Sequence, residues 1–544
     1  MIIQALLAAL LTAAFPNDTL LGTEHGKARP ALPSSWQGVP QDADADGEDA
    51  GPTGLELSLK DAISSAFANN LSLRGALLDT EASLQGFNAA WGDFDTTFFT
   101  TVTQSSNTSP PTDTNFVGSA AAGGNPKAID DVFTLSSGFR GKWQTGTTWE
   151  LNAFAQTREN EQRTKPLSSR SEVNTGNWRF QLTHPLLRDS EDFAMSGVRL
   201  AAQDVMIASL DGEITANSTI QTVITNYWNL VFSLQDAGTR DLSVELASDL
   251  LSVTRRKYEQ GIQNRIDVIE AEAEVARRRE EQLTAHNTLE QAMDDLSRLV
   301  YAPSALDQWA GRILPVTDYT VLPEDVPTMQ TAVAVALEKR PDVIRARLAV
   351  ERADIEITRA KNGAKNRLDV TGQYGVNAQN DNLSSTIRDY DEVGNDFGSL
   401  SLNFEMSLGN RQSGYTVRRR RIERERAAVS KSEIELNAIA EVRQSTRDVS
   451  LQTERVVATA ETTRLRREVY EGEIRRLEND LSTPFQVRES QRDLLEAIDS
   501  ELRARLDLAV AHTQLKASQG TLLDLFGYDR YEPELEESPP AWDE

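Results

Sequence analysis

The stretch from Arg255 to Val275, RRKYEQGIQNRIDVIEAEAEV, decides how this chain must be built. Both flanks read as helix, yet Gly261 and Asn264 interrupt the pattern. Gly261 suits the left-handed residue just past a helix end. Asn264 suits the N-cap of a new helix, with Asp267 three residues later in its first turn. One long helix therefore ends and another begins within about four residues. Two acids, Asp267 and Glu270, sit one helical turn apart beside that tip.

A second such tip follows later. LSTPFQVRESQRDL places Thr483 as N-cap, Pro484 at the first helical position and Gln486 where a capping-box residue reaches back. Asn479 and Asp480 stand where the first tip has glycine, so that turn calls for Asn or Asp in the left-handed region. The two tips belong to a larger duplication. Ala62, Ala66, Leu78, Glu81 and Ala90 align with Ala332, Ala336, Leu348, Glu351 and Ala360. Each half runs helix, strands, very long helix, tip, shorter helix. The domain plan is an export signal over 1–20, an acidic Pro/Gly linker over 21–54 and a first repeat over 55–310. A connector over 311–327, a second repeat over 328–527 and an acidic tail over 528–544 follow.

The first helix of each half reads as one unbroken element, LSLKDAISSAFANNLSLRGALLDTEASLQGFNAAWG and MQTAVAVALEKRPDVIRARLAVERADIEITRAKNG. The long helices span roughly 194–260 and 411–477, hence ~100 Å each. Ile220, Val223, Tyr227, Leu230, Leu234 and Ala237 form an apolar seam on the first. Val442, Thr446, Val449, Thr453, Val456 and Ala460 form a smaller-residue seam on the second.

The intervening segments alternate with a period of two. Phe133, Leu135, Phe139 and Trp143 share one face of their strand, Trp178, Phe180 and Leu182 that of another. Leu400, Leu402, Phe404, Met406 and Leu408 repeat the pattern in the second half. A soluble sandwich would alternate in the same way. Strand lengths near ten residues, charged residues on the polar faces and the lack of a partner layer favour a membrane barrel with these apolar faces in lipid. The first half also carries extra strand sequence, SSGFRGKWQTGTTWELNAFAQT, that fits either a hairpin in the wall or an extracellular excursion.

Composition narrows the function. The 544 residues carry a net charge of −27, which argues against nucleic acid as a partner, since phosphate binding needs a basic surface. With 39% apolar and 6% aromatic residues, the chain suits long helices with narrow seams rather than one large core. The absence of cysteine excludes disulfides, thiolate metal sites and a lipidated N-terminal cysteine. His25, His184, His286 and His512 are scattered, and no P-loop, GxSxG or HExxH is present, so no enzyme, cofactor or metal is expected. DADADG at 42–47 copies the start of a calcium loop, but Thr53 stands where the closing Glu belongs, which favours a solvated linker. MIIQALLAALLTAAFP reads as an export signal without the usual basic start, and YEPELEESPPAWDE as a disordered end.

On these residues the chain resembles the outer membrane efflux protein (TolC-like) family. DAISSAFANNLSL and TAVAVALEKRPDV at the repeat starts, the two tips, and THPLLR closing the first strand region carry the likeness, from about Leu57 to Tyr528. THPLLRDSED departs from the family's QPLLRG element, with His184 for Gln and without the glycines that often follow.

The resemblance implies a mainly α fold in which duplicated long-helix hairpins form a tunnel and β-strands join a trimeric barrel. It further implies a homotrimer in the outer membrane of a Gram-negative-type cell, with a periplasmic helical tunnel. Outer-membrane lipid surrounds the barrel, and a periplasmic adaptor and an inner-membrane transporter are the partners. The chain would then be the exit duct of an efflux or type I secretion system and do no covalent chemistry. By motif, Asp267, Gln486 and Glu489 match the family's gate positions, and Glu270 adds an acid one turn from Asp267. Each has a local alternative, since Asp267 and Gln486 also fit plain helix-start roles. The competing class is a periplasmic coiled-coil scaffold with a soluble β-domain.

Overall fold

Helix-capping chemistry sets the element boundaries in this computed structural model. It describes residues 55–109, 127–163, 168–261, 263–302, 311–317, 327–380, 395–479, 481–528 and 535. The export signal, the acidic linker with its calcium-like loop, and Asp480 lie outside the described residues.

Each repeat opens with two helices rather than one. In the first, α1 (Leu59–Asn69) and α2 (Leu71–Ala90) are separated by Asn70, whose side chain caps α2 by accepting from the Ser72 and Leu73 amides. In the second, the break falls at Arg340. The residue before proline is pushed out of the α region, and Pro341 is the first residue of the next helix. The expectation of an unbroken helix therefore fails in both halves, because an Asn and a Pro each offer the backbone a local exit. The other helices longer than one turn are α3 (Ser196–Glu259) and α4 (Arg265–Val300), α5 (Met329–Lys339) and α6 (Pro341–Ala364), and α7 (Arg411–Glu478) and α8 (Pro484–Gln519).

The helices form a single layer. At one level the order is α2, α3, α6, α7, and nearer the tips it is α4, α3, α8, α7. Rods of 64 and 68 residues run through both levels. The first seam lies within this layer: Ile220, Val223, Tyr227 and Leu230 are fully buried. Of the α7 seam, Val442, Thr446 and Val449 are buried, while Thr453 faces solvent in the single chain.

Mid-layer, a core of Leu57, Ile63, Phe67, Tyr227, Leu296 and Leu506 is closed by two short parallel strands. These are β1 (Leu55–Leu57) and β6 (Ile313–Pro315), which the sequence reading did not include. The Tyr227 hydroxyl donates to the Leu57 carbonyl and accepts from the Thr317 amide, both at 3.0 Å. Tyr528 stacks on Phe67 at 4.1 Å, and Leu535, in the segment expected to be disordered, packs against the Phe87–Trp91 cluster.

Six antiparallel strands form one sheet beyond the rods, in the order β2-β3-β4-β5-β7-β8. They are β2 (Thr97–Ser109), β3 (Lys127–Lys142), β4 (Thr148–Arg163), β5 (Ser168–Pro185), β7 (Arg367–Asn380) and β8 (Asn395–Glu405). The extra strand sequence of the first half is β3–β4, placed in line between β2 and β5 rather than outside the sheet. Gly146 makes its helix-side turn at φ +83°, donating to the Trp143 carbonyl; a Cβ there would meet the Asp189 carbonyl oxygen at 2.1 Å. Trp143 is thereby drawn out of β3 into the turn, and Met406 and Leu408 fall past the end of β8. The alternation stops where the backbone leaves the ladder.

Two corners turn the sheet into the long helices. Asp189 (φ 65°) exchanges hydrogen bonds with Asn362, and Asn410 (φ 31°) donates to the Ala364 carbonyl. The bend after THPLLR thus needs no glycine: short polar side chains occupy the left-handed region and tie each corner to the end of α6.

Candidate functional site

Three of the four acidic or amide positions singled out at the tips are committed to local partners. Gly261 takes φ +78° and ends α3. Asn264 follows in extended conformation, and its backbone amide donates to the Asp267 carboxylate at 3.1 Å. In the second tip the Thr483 amide donates to Gln486 Oε1 at 3.2 Å, and the Gln486 amide donates back to the Thr483 hydroxyl at 3.4 Å. Pro484 occupies the first helical position, as its missing N–H allows. The uncharged Gln486 is therefore a capping residue in this geometry. Glu489 pairs with Arg492 one turn along α8.

Glu270 has a different kind of partner. Its carboxylate accepts from Arg488 at 2.9 Å, across 218 positions of sequence. This pair joins the start of α4 to the start of α8, so the two tips of one protomer are clasped to each other. Arg488 is the more enclosed member and also stacks over the Phe485 ring at 5.9 Å. Sequence reading missed Arg488 because its signal exists only once the two tips lie side by side.

Of the two residues offered for the left-handed position of the second tip, Asp480 lies outside the described residues and Asn479 does not take it. Asn479 keeps φ −96° and donates its side-chain amide to the Arg475 carbonyl at 2.7 Å. That side-chain bond satisfies an orphan carbonyl of the last helical turn. Just above the tips, α3 and α7 flank a cleft of about 730 Å3 lined by Leu246, Leu250, Val253, Tyr470, Ile474 and Leu477. Burial pushes the Tyr470 phenol above its ordinary value, aided by nearby Asp249.

At the other end the strand residues sort by register. Phe133, Leu135 and Phe139 on β3 share a face with Leu151 and Ala153 on β4. That face continues through Trp178, Phe180 and Leu182 on β5, and Tyr374 and Val376 on β7, to Leu400, Leu402 and Phe404 on β8. Leu400 is 80% exposed and Leu402 65%. The opposite face holds the Arg179–Glu150 ion pair, Ser136 bonded to Asn152, and Thr183 bonded to Thr371, with Phe99, Phe154 and Phe397 as apolar exceptions. Among the described residues no group of acids and histidines is disposed to hold a metal ion. No helix there is long and apolar enough to cross a membrane.

No family model matches the sequence, and no curated protein does. Solved structures do. The Campylobacter jejuni CmeC outer membrane channel superposes with a TM-score of 0.62 at 12% identity, over 94% of this chain and 95% of that one. The Vibrio cholerae outer membrane protein VceC gives 0.59 at 13% identity, over 85% and 96%. The open state of the Neisseria gonorrhoeae MtrE outer membrane channel gives 0.58 at 17% identity, over 85% and 89%. At these identities the likeness is one of fold: long-helix hairpins continued by antiparallel strands.

Proposed function

We propose that this chain, which shares its fold with outer-membrane channels, is one protomer of a homotrimeric exit duct. Its sheet forms part of a barrel wall in the outer membrane, and its rods form part of a periplasmic tunnel. An inner-membrane transporter and a periplasmic adaptor deliver substrates to the tips, and those partners supply the energy. The observation that carries this reading is the apolar sheet face, continuous across six strands and covered by no other layer among the described residues. In water such a face would be an aggregation hazard; in hydrocarbon it is the stable arrangement.

Same-chain association is supported by the edges of the helical layer. On α7, Tyr415, Ile422, Val429 and Leu436 recur every seven residues and each is more than 60% exposed. The opposite edge exposes Leu71 and Leu78 on α2 and Ile266, Ile269 and Leu283 on α4. Two complementary apolar edges on opposite sides of one layer favour a closed ring of copies.

The tips serve in this reading as the gate. Asp267, Glu270 and Glu489 supply the negative charge of a cation-attracting constriction, and Arg488 and Arg492 moderate it. The Glu270–Arg488 pair is the contact that must part when the tips splay.

Extraction and electrophoresis test the whole reading. The protein should need detergent to leave the membrane fraction, run as a trimer unheated and shift to monomer mobility on boiling. A protein that stays soluble and monomeric without detergent would favour the periplasmic scaffold.

A further inference from the structure

The sheet of one protomer is open. Among the described residues β2 and β8 each have a strand partner on one side only, leaving 13- and 11-residue edges of unpaired N–H and C=O groups. Hydrocarbon cannot satisfy such groups. β2 runs away from the helices and β8 runs back toward them, so β8 of one copy and β2 of the next meet antiparallel. The strand count per protomer is even, so the alternation survives closure for any number of copies.

The ladder also gives the stagger. Thr97 at the helix end of β2 is level, through Arg140, Glu150, Gln181 and Gln373, with Ser399 on β8. β8 ends toward the helices at Glu405, and 405 − 399 is six residues further. If Thr97 of the next copy pairs with that last residue, the six residues of rise, ~20 Å over six strand spacings of ~29 Å, give a tilt of about 35°. That lies in the range of closed barrels.

We infer that the β2 edge pairs with the β8 edge of a neighbouring copy, and that three copies close an eighteen-stranded barrel with Thr97 opposite Glu405 of the adjoining chain. This rests on the trimeric reading above. The β3–β4 hairpin is what enlarges the wall. The second half supplies two strands, and a first half built like it would give twelve in all. At ~4.8 Å spacing and ~35° tilt, twelve strands enclose a backbone diameter of ~23 Å and eighteen ~34 Å. The larger value matches the helices. Four rods at ~9 Å span ~36 Å of circumference per protomer, and six tilted strands span ~35 Å. The hairpin therefore lets the barrel continue the tunnel without a step inward, and cargo meets its narrowest passage at the tips rather than in the membrane.

A three-dimensional reconstruction of the detergent-extracted full chain, by electron cryomicroscopy, counts the strands. Eighteen in one wall supports the inference. A twelve-stranded wall with the β3–β4 hairpin folded outside it overturns the inference and leaves the trimer intact; a particle without threefold symmetry overturns both. Cross-linking tests the register separately, since the chain has no cysteine of its own. With Thr97 opposite Glu405, Val102 faces Leu400 of the next copy, on the apolar side. The V102C/L400C double variant should give a covalent trimer with a short bis-maleimide, whereas V102C/F404C, four residues out of register, should not. A reversed result overturns the register.

Discussion

Replacing Phe180 by Arg tests which face of the sheet meets lipid. Phe180 lies mid-face, opposite Leu151 on β4 and Tyr374 on β7, and is 44% exposed in the single chain. It stands five residues from the end of β5 at Pro185. At ~3.3 Å per residue and ~35° tilt that is ~13 Å above the helix-side edge, near the middle of a ~25 Å apolar band. Arginine at that depth costs ~2–4 kcal/mol per copy, hence ~6–12 kcal/mol for three copies in one barrel. The control is its neighbour. Gln181→Arg places the same side chain on the other face, within reach of the Glu150 carboxylate row, and should cost close to nothing. The assay is the fraction of protein reaching heat-modifiable trimer in lipid vesicles, with the urea midpoint of whatever inserts. Phe180→Arg should lose most of the trimer and Gln181→Arg should keep it. Equal tolerance of both, or greater damage from Gln181→Arg, would refute the assignment of faces.

Three further outcomes are expected. Tyr227→Phe removes the hydroxyl shared by the Leu57 carbonyl and the Thr317 amide, and should lower stability by ~1–3 kcal/mol in denaturant titration; no loss would mean that β1 and β6 do not anchor the layer. Arg488→Ala breaks the clasp to Glu270, an exposed pair worth ~0.2–1 kcal/mol per copy, and should raise open-channel events and sharpen cation selectivity. Unchanged gating and selectivity would remove Glu270 and Arg488 from the gate. Burial opposes ionisation of Asp342, yet the Arg340 guanidinium outweighs it and holds the carboxyl below its ordinary 3.8. A depressed carboxyl contributes stability above its unfolded value that is lost as pH falls through the folded one. Acid melting below about pH 4 should therefore be less steep in Asp342→Asn, as followed by circular dichroism against pH.

The parts of this fold legible in the sequence are those fixed by neighbours along the chain. Gly261, Asn264, Thr483 and Gln486 act through bonds spanning three residues, and Pro484 through the N–H it lacks. Two-residue alternation likewise sorted Phe180 and Leu402 onto one face. What stayed hidden depends on partners far away. Strand-like sequence at 136–157 could not say whether it joined the sheet, because that is settled by pairing with β2 and β5. The three-residue β1 and β6 are too short to carry a periodic signal, and exist because Tyr227 bonds to both flanks. Arg488 carries no local signal in the sequence, and its role appears only when Glu270 is brought beside it. Asn70 and Arg340 misled in the other direction, since a helix-length pattern on both sides masked a local break.

In the proposed assembly three copies of this chain enclose a pore with an acidic constriction at the tips. Single-channel recording of the purified trimer in a planar lipid bilayer tests it most directly. Small, stable, cation-selective steps are expected, with larger and more frequent openings in Arg488→Ala. A correctly folded protein that stays soluble without detergent and passes no current, in wild type and Arg488→Ala alike, would contradict it.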